Sequence, residues 1–450
     1  SIGTNGFHWC PDNLVKIFGE IRLYLHLQFL WRPNGLYVEP LYQGGSTGTL
    51  GLDGYFERLK AINVKPRPCL NSSPSWIVEQ HGGDVDCKPI LKNADPLKPE
   101  SYKDIAELFF NFAARYGKVK VDHSRLKVDT ELRWGSQNEI KSGLDLCDSV
   151  ECLNEQWSWW TERFTPEEYA VCYSMCYDGH EGLFPNCGVK NADPDFQLWM
   201  GGMSEMNTHH MDRFLKHLKE IRVDGDIIEV VNFHHYSNSG NTEDYLPKQW
   251  IKGCSPEQDQ IEMRLQRMID WRNHNQPNAK LAFSEFGFDT NPNGQSWQKA
   301  NLKDQSNWLA RTYLLSLSKE IDHLFMFNLI DEPNWESGSL FASCGLCSSE
   351  HTGARPKLSY NLIKSIITEL NKYEFVKDIS IGKFRVLVLS NKSSVKYYYC
   401  HTEKSGSARI NGMKLQFEER PKVFRIIKAI GHTRNKGNSG SKEPIIKKSW

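Results

Sequence analysis

An alternation narrows the fold more than any other feature of this chain. Short apolar, β-prone runs recur at positions 2–8, 20–26, 63–70, 149–154, 197–203, 227–235, 280–285 and 323–328, and helical patterns lie between most of them. Positions 55–62 carry apolar side chains at Phe56, Leu59 and Ile62, one face of a helix. Thr165-Pro-Glu-Glu opens another helix with an N-cap, a proline at the first helical position and Glu168 at the third, a capping box. Stretches 211–221, 260–272, 306–317 and 360–370 keep the 3.6-residue spacing. Strands and helices alternating in this way predict a (β/α)8 TIM barrel. The competing α/β arrangement, a doubly wound sheet, wants a glycine-rich phosphate turn after its first strand, and Phe7-His8-Trp9-Cys10-Pro11 is not one.

After position 370 the texture changes. Runs at 383–389, 395–400 and 409–417 are β-branched or aromatic with polar turns between them, which reads as a small antiparallel β domain. The expected organisation is a barrel over 1–372, a small β-sandwich-like domain over 373–430 and a flexible basic tail over 431–450. From 421 to 450 there are eight Lys or Arg against one Glu, spaced by Gly, Ser and Asn, the composition of a solvated tail rather than of a binding arm. For the whole chain Lys+Arg and Asp+Glu are equal at 55 each, so charge gives no case for nucleic acid or an anionic membrane. No apolar run approaches the roughly 18 residues of a membrane span.

The 12 cysteines are scattered. Cys344 and Cys347 form a CxxC, but a zinc site would want a second such pair and a thioredoxin motif a strand-to-helix turn. A local disulfide or a chance pair remains. Several disulfides are expected, and with them an oxidising compartment, hence a secreted or periplasmic chain whose signal peptide is not part of this sequence. Sequons at Asn71 and Asn391 permit glycosylation. The oligomeric state is left open.

Catalytic groups of a barrel sit where strands end and the following loops begin. By that rule the fourth strand delivers Asn154 and Glu155, the seventh Ser284 and Glu285, the sixth His234, His235 and Tyr236, and the first His8 and Trp9. The eighth runs into Asp331 and Glu332. On the second, Arg22, Tyr24 and His26 alternate and so share a face. A glutamate after a strand is usually a loop or cap carboxylate. Two of them, at the fourth and seventh strand ends and both flanked by aromatics, suit glycoside hydrolysis, which sets one protonated and one ionised carboxyl across the scissile bond. Trp9, Trp31, Trp76, Trp157, Trp159 and Trp160 fall at strand ends or in the loops after them, and indole faces stack on the C–H faces of sugars. His234 and His235 are adjacent on a strand and point to opposite faces, which argues against a metal centre.

These residues resemble a known group. Asn-Glu closing the fourth strand and Ser-Glu-Phe-Gly closing the seventh are similar to the retaining glycoside hydrolases of clan A. The run Asn154-Glu155-Gln156-Trp157-Ser158-Trp159-Trp160 resembles the Asn-Glu-Pro-Asp-Lys-Trp-Trp signature of family 39-like bacterial enzymes. "YDGHEG", "GVKNADPDFQLWMGG", "VNFHHYSN" and "SEFGFDTNPN" add to the likeness. The resemblance implies that Glu155 is the general acid/base and Glu285 the nucleophile. It further implies that Asn154 binds the sugar 2-hydroxyl, that Arg22 lies under the nucleophile, and that His235 or Tyr236 hydrogen-bonds the nucleophile or the sugar. One departure stands out: the proline that follows the acid in the signature is Gln156 here.

The reading is a retaining hydrolase of β-linked glycans, acting through two glutamates without metal or organic cofactor. Its substrate-binding set is Asn154, Arg22, His235, Tyr236, Trp9 and Trp160. The alternative is a non-catalytic carbohydrate-binding barrel derived from such an enzyme.

Overall fold

The computed structural model describes residues 1–36, 51–130, 138–158, 163–241, 251–319, 321–391, 396–410, 413–426 and 446–448. Eight strands close a barrel: β1 (Ile2–Asn5), β2 (Glu20–His26), β3 (Lys65–Asn71), β4 (Ser149–Asn154), β5 (Gln197–Gly202), β6 (Val230–His234), β7 (Lys280–Phe286) and β8 (His323–Met326). Around the barrel they run β1-β8-β7-β6-β5-β4-β3-β2, every pair parallel. The expected (β/α)8 barrel is therefore the fold. Its strands are buried along most of their length because helices cover the outside while side chains fill the inside. Trp199, Val230, Ala282 and Phe325, from β5 to β8, form one such buried packing cluster.

Helices separate the strands where the periodicity places them: Leu52–Ala61, Pro166–Asp178, Thr208–Ile221, Ile261–Asn275, Leu302–Ser318 and Leu358–Leu370. The capping box at Thr165 and Glu168 is formed in both directions. His209 and His210 open their helix by donating backbone N–H groups to the Asn207 cap. The helix Lys103–Tyr116 was not foreseen. Its Ile105, Leu108, Phe109, Phe112 and Tyr116 are buried at the i, i+3, i+4, i+7, i+11 spacing of one helical face, with Asp104, Glu107, Asn111 and Arg115 opposite.

Packing divides the chain into two compact units, one made of Ser1–His235, Gln266–Phe286 and Asp322–Leu329, the other of Tyr236–Leu265, Gly287–Ile321 and Ile330–Trp450. The first holds all eight barrel strands. The second carries a five-stranded antiparallel sheet ordered Glu374–Ile381, Phe384–Ser390, Lys396–Thr402, Lys422–Ile426 and Ile446–Lys448. The segment read as one strand over 409–417 is instead a hairpin, Gly406–Ile410 with Met413–Phe417. Val386, Val388, Ile410, Leu415 and Phe417 make a small core there. Most of the 431–450 tail lies outside the described residues.

The disulfide expectation is corrected. No disulfide joins any of the eleven described cysteines, and all eleven are buried. Cys69, Cys152, Cys172 and Cys176 lie on strands and a helix and the rest in buried loops, where a thiol packs as a small hydrophobe.

Candidate active site

The site starts from a charged residue where a barrel strand ought to be apolar. Glu151, in the middle of β4, is buried, and Arg22 of β2 grips it with Nε at 2.7 Å and Nη2 at 2.9 Å. A buried carboxylate needs such a fork, since a lone charge in the interior is strongly unfavourable. The same guanidinium reaches further. Nη1 donates to Glu285 Oε1 at 2.6 Å and to Asn5 Oδ1 at 2.9 Å, and Nη2 donates to Asn154 Oδ1 at 2.8 Å. One arginine thus links β1, β2, β4 and β7 and fixes two of the expected site residues, Asn154 and Glu285. Burial acts to lower the Arg22 pKa, but Glu151 more than offsets it, so the cation is locked on.

Tyr24, two residues on and on the same face of β2, donates its phenol to Glu285 Oε1. Burial first, with the Glu285 charge adding to it, pushes the Tyr24 hydroxyl well above its ordinary value, so it remains a donor. Glu285 owes its aim to a bulge: Phe233 pairs with Phe283, but His234 pairs with Glu285, leaving Ser284 as the extra residue. Bulges of this kind re-aim side chains beside functional sites.

Glu155 is aimed by an irregularity at the end of β4. Leu153 and Glu155 adopt left-handed backbone, φ 67° and 46°. The Glu155 N–H donates to Gly202 O at 2.8 Å. Such conformations cost a non-glycine residue roughly 1–3 kcal/mol and persist where surrounding structure holds them. His234 Nδ1 lies 2.8 Å from Glu155 Oε1, while its Nε2 lies 2.9 Å from Ser284 Oγ and 3.5 Å from Glu285 Oε1. A carboxylate oxygen of Glu155, one of Glu285 and a ring nitrogen of His234 all fall within 4.8 Å of one another. The ring fits there because position 202 is glycine, as a Cβ would overlap it.

Those three groups are also of metal-ligand type. The Glu285 oxygen is already held by Arg22 and Tyr24, however, and a fixed guanidinium opposes a second cation at that atom.

The expected residues divide cleanly. Arg22, Asn154, Glu155 and Glu285 converge. The histidine between the carboxylates is His234 rather than His235, whose backbone N–H donates to Glu285 O at 3.0 Å. Tyr236 belongs to the second unit, where its ring lies 4.9 Å from that of Phe341. Trp9 stacks on Phe7, with ring centroids 4.4 Å apart, and meets His8 edge-on. Trp160 and Trp159 lie outside the described residues. Trp157 is buried between Tyr169 and Phe214, and Trp31 is fully buried, so both pack the interior rather than wall a sugar site. Sequence reasoning assigned no role to Glu151 or Tyr24. A glutamate inside an apolar strand was the available signal for the first, and the shared face with Arg22 for the second.

Gln156 is wholly buried. Its Nε2 donates to Gly201 O at 3.3 Å, and its backbone O accepts from the Phe164 N–H at 2.9 Å. Its Oε1 has no hydrogen-bond partner among the described residues.

No family model and no curated protein sequence matches the chain. Solved structures do. A family 39 glycoside hydrolase from Bacteroides cellulosilyticus WH2 is similar at 16% identity over 95% of this chain and 80% of that one, with a TM-score of 0.56. An endo-β-1,6-glucanase is similar at 12% identity over 94% and 90%, with a TM-score of 0.53. An α-L-arabinofuranosidase from Thermotoga maritima is similar at 12% identity over 88% and 76%, with a TM-score of 0.51. The chain has the (β/α)8-barrel fold of clan A glycoside hydrolases.

Proposed function

We propose that the protein is a retaining glycoside hydrolase acting on β-linked glycans by double displacement. The observation that carries this reading is the approach of Glu155 and Glu285, with oxygens within 4.8 Å across the strand ends. Double displacement wants carboxyls about 5–5.5 Å apart, whereas single displacement wants about 6.5–9.5 Å to admit a water. Glu285 is the nucleophile: Arg22 and Tyr24 converge on its Oε1, keep it ionised and set its orientation. Glu155 is the general acid, protonating the leaving oxygen as Glu285 attacks the anomeric carbon. It then takes the proton from the water that releases the sugar and Glu285. His234 orients Glu155 through Nδ1 and is itself held by Ser284. With its Oδ1 engaged by Arg22, Asn154 presents its NH2 as the donor for a sugar hydroxyl.

Azide tests both roles. On an aryl glycoside drawn from a panel of β-xylosides, β-glucosides and β-galactosides, with an α-L-arabinofuranoside included, Glu285→Gly should be inert. Azide should restore turnover and give a glycosyl azide of inverted configuration. Glu155→Ala with azide should give the retained azide. Exchanged stereochemical outcomes would swap the two roles. A wild-type chain that binds glycans but cleaves none of the panel, with no dependence on either glutamate, would leave the carbohydrate-binding barrel as the reading.

A further inference from the structure

Behind the strand that carries Glu155, three thiols meet. Cys152 lies on β4 next to Glu151, which enters the barrel to meet Arg22, so alternation turns Cys152 outward. Cys172 and Cys176 sit four residues apart on the helix Pro166–Asp178 and share its face. All three are fully buried, and their sulfurs lie within 4.8 Å of one another. A zinc–thiolate bond is about 2.3 Å, so three sulfurs around one ion stand about 4.0 Å apart. The observed spread needs a contraction of less than about 1 Å to reach it.

A second observation concerns charge. Arg163 is buried, and its guanidinium donates to neutral acceptors: Ser72 O at 2.6 Å, Cys87 O at 3.0 Å, Ser73 Oγ at 3.3 Å and Asn71 Oδ1 at 3.5 Å. Asp86 and Asp84 act on it at longer range without a described ion pair, and its field also reaches Cys87 and Cys172. A buried cation whose carboxylates stand off at long range is favoured by a nearer anion. Three thiolates, one divalent ion and Arg163 sum to zero charge.

We propose that Cys152, Cys172 and Cys176 form a buried three-thiolate site for a thiophilic d10 cation, zinc above all. On binding, three S–H protons leave to solvent and three metal–sulfur bonds form, with no change of oxidation state. The ion would staple β4 to the helix after it, three residues ahead of Glu155, and it would enter during folding because the closed wall admits nothing later. The site is independent of the proposed hydrolase chemistry.

The full chain, expressed in zinc-replete medium, should retain about one zinc per molecule through gel filtration in EDTA. X-ray absorption should show three sulfur neighbours near 2.3 Å. Expression with cadmium should give the ultraviolet charge-transfer band of cadmium thiolates, and Cys176→Ser should lower cadmium content at least tenfold. Because wild-type metal content and sulfur count need no variant, a misfolded Cys176→Ser chain does not spoil the test. Folded wild type with under a tenth of an equivalent of zinc overturns the proposal. So does mass spectrometry that finds two of these three cysteines joined in a disulfide.

Discussion

Arg22 and Arg67 are register partners on β2 and β3, yet each guanidinium serves a different end of the barrel. Arg67 turns toward the strand starts. It donates to Glu20 Oε1 from Nε at 3.0 Å and Nη2 at 2.6 Å, and from Nη1 to Ser149 Oγ at 2.7 Å and to Asp148. Lys65 meets the other oxygen of Asp148 at 3.0 Å, and His323 Nδ1 lies 2.9 Å from Glu20 Oε2. Carboxylates and cations balance at that end. Arg22 turns toward the strand ends, where Glu151 and Glu285 both meet it, and one guanidinium cannot neutralise two carboxylates. The lower cluster is built to hold strands together. The upper one retains negative charge, which an oxocarbenium-like transition state would complement.

Removing one carboxylate from each end should separate the two. Glu285→Gln should cut kcat/KM by at least about 10⁴-fold while leaving the melting temperature unchanged or raised, since it relieves like charges. Glu20→Gln breaks a buried pair whose arginine stays behind, so it should cost on the order of 3 kcal/mol in urea unfolding, with near-normal kcat in the folded fraction. Equal stability losses at the two ends would erase the distinction.

The lower end also has a pH signature. Burial acts to raise Glu20, but the His323 hydrogen bond and the Arg67 charge outweigh it and hold the carboxyl well below its ordinary 4.5. The folded chain therefore favours the ionised form. That contribution to stability is complete above pH 4.5 and drains away as pH falls toward the folded value. Urea midpoints across acid pH should slope downward in wild type and flatten in Glu20→Gln.

Within the upper end, Gly202 tests how closely the carboxylates depend on His234. A methyl at 202 would displace the ring that bridges Glu155 and Ser284. Gly202→Ala should lower kcat about 10²-fold with KM little changed, the scale of an ångström's misplacement. A tenfold or smaller effect would demote the ring to packing.

The barrel was legible in the sequence because strand and helix periods differ and alternate, and because strand ends are where barrel chemistry collects. That Glu155 and Glu285 come together at the strand ends followed from position alone. The resemblance pointed to His235, and period 2 alone says only that one of the two neighbours faces the barrel; the structure sets the ring of His234 between the carboxylates. The tryptophans misled for a different reason. Composition reports an indole's presence after a strand but not its direction, and Trp157 turns into the packing of Tyr169 and Phe214. Cysteine count could not separate bridges from buried thiols, since both favour the interior.

Gln156 remains, the residue directly after the acid, where the run first departs from the resemblance before Trp157 and Ser158 do so too. Proline at that position would push the residue before it toward extended φ near about −120°, whereas Glu155 sits at φ 46°. The glutamine and the left-handed acid therefore go together. Gln156→Pro, although it moves the sequence toward the signature, should lower kcat about tenfold by straining Glu155 off its aim. Gln156→Met should do almost nothing to rate. It removes the unpartnered Oε1 and a long hydrogen bond together, so stability should hold or rise by about 1 kcal/mol. A proline variant at wild-type rate would show that the backbone at Glu155 is not what aims the acid. The departure at 156 would then reflect packing against Gly201 alone.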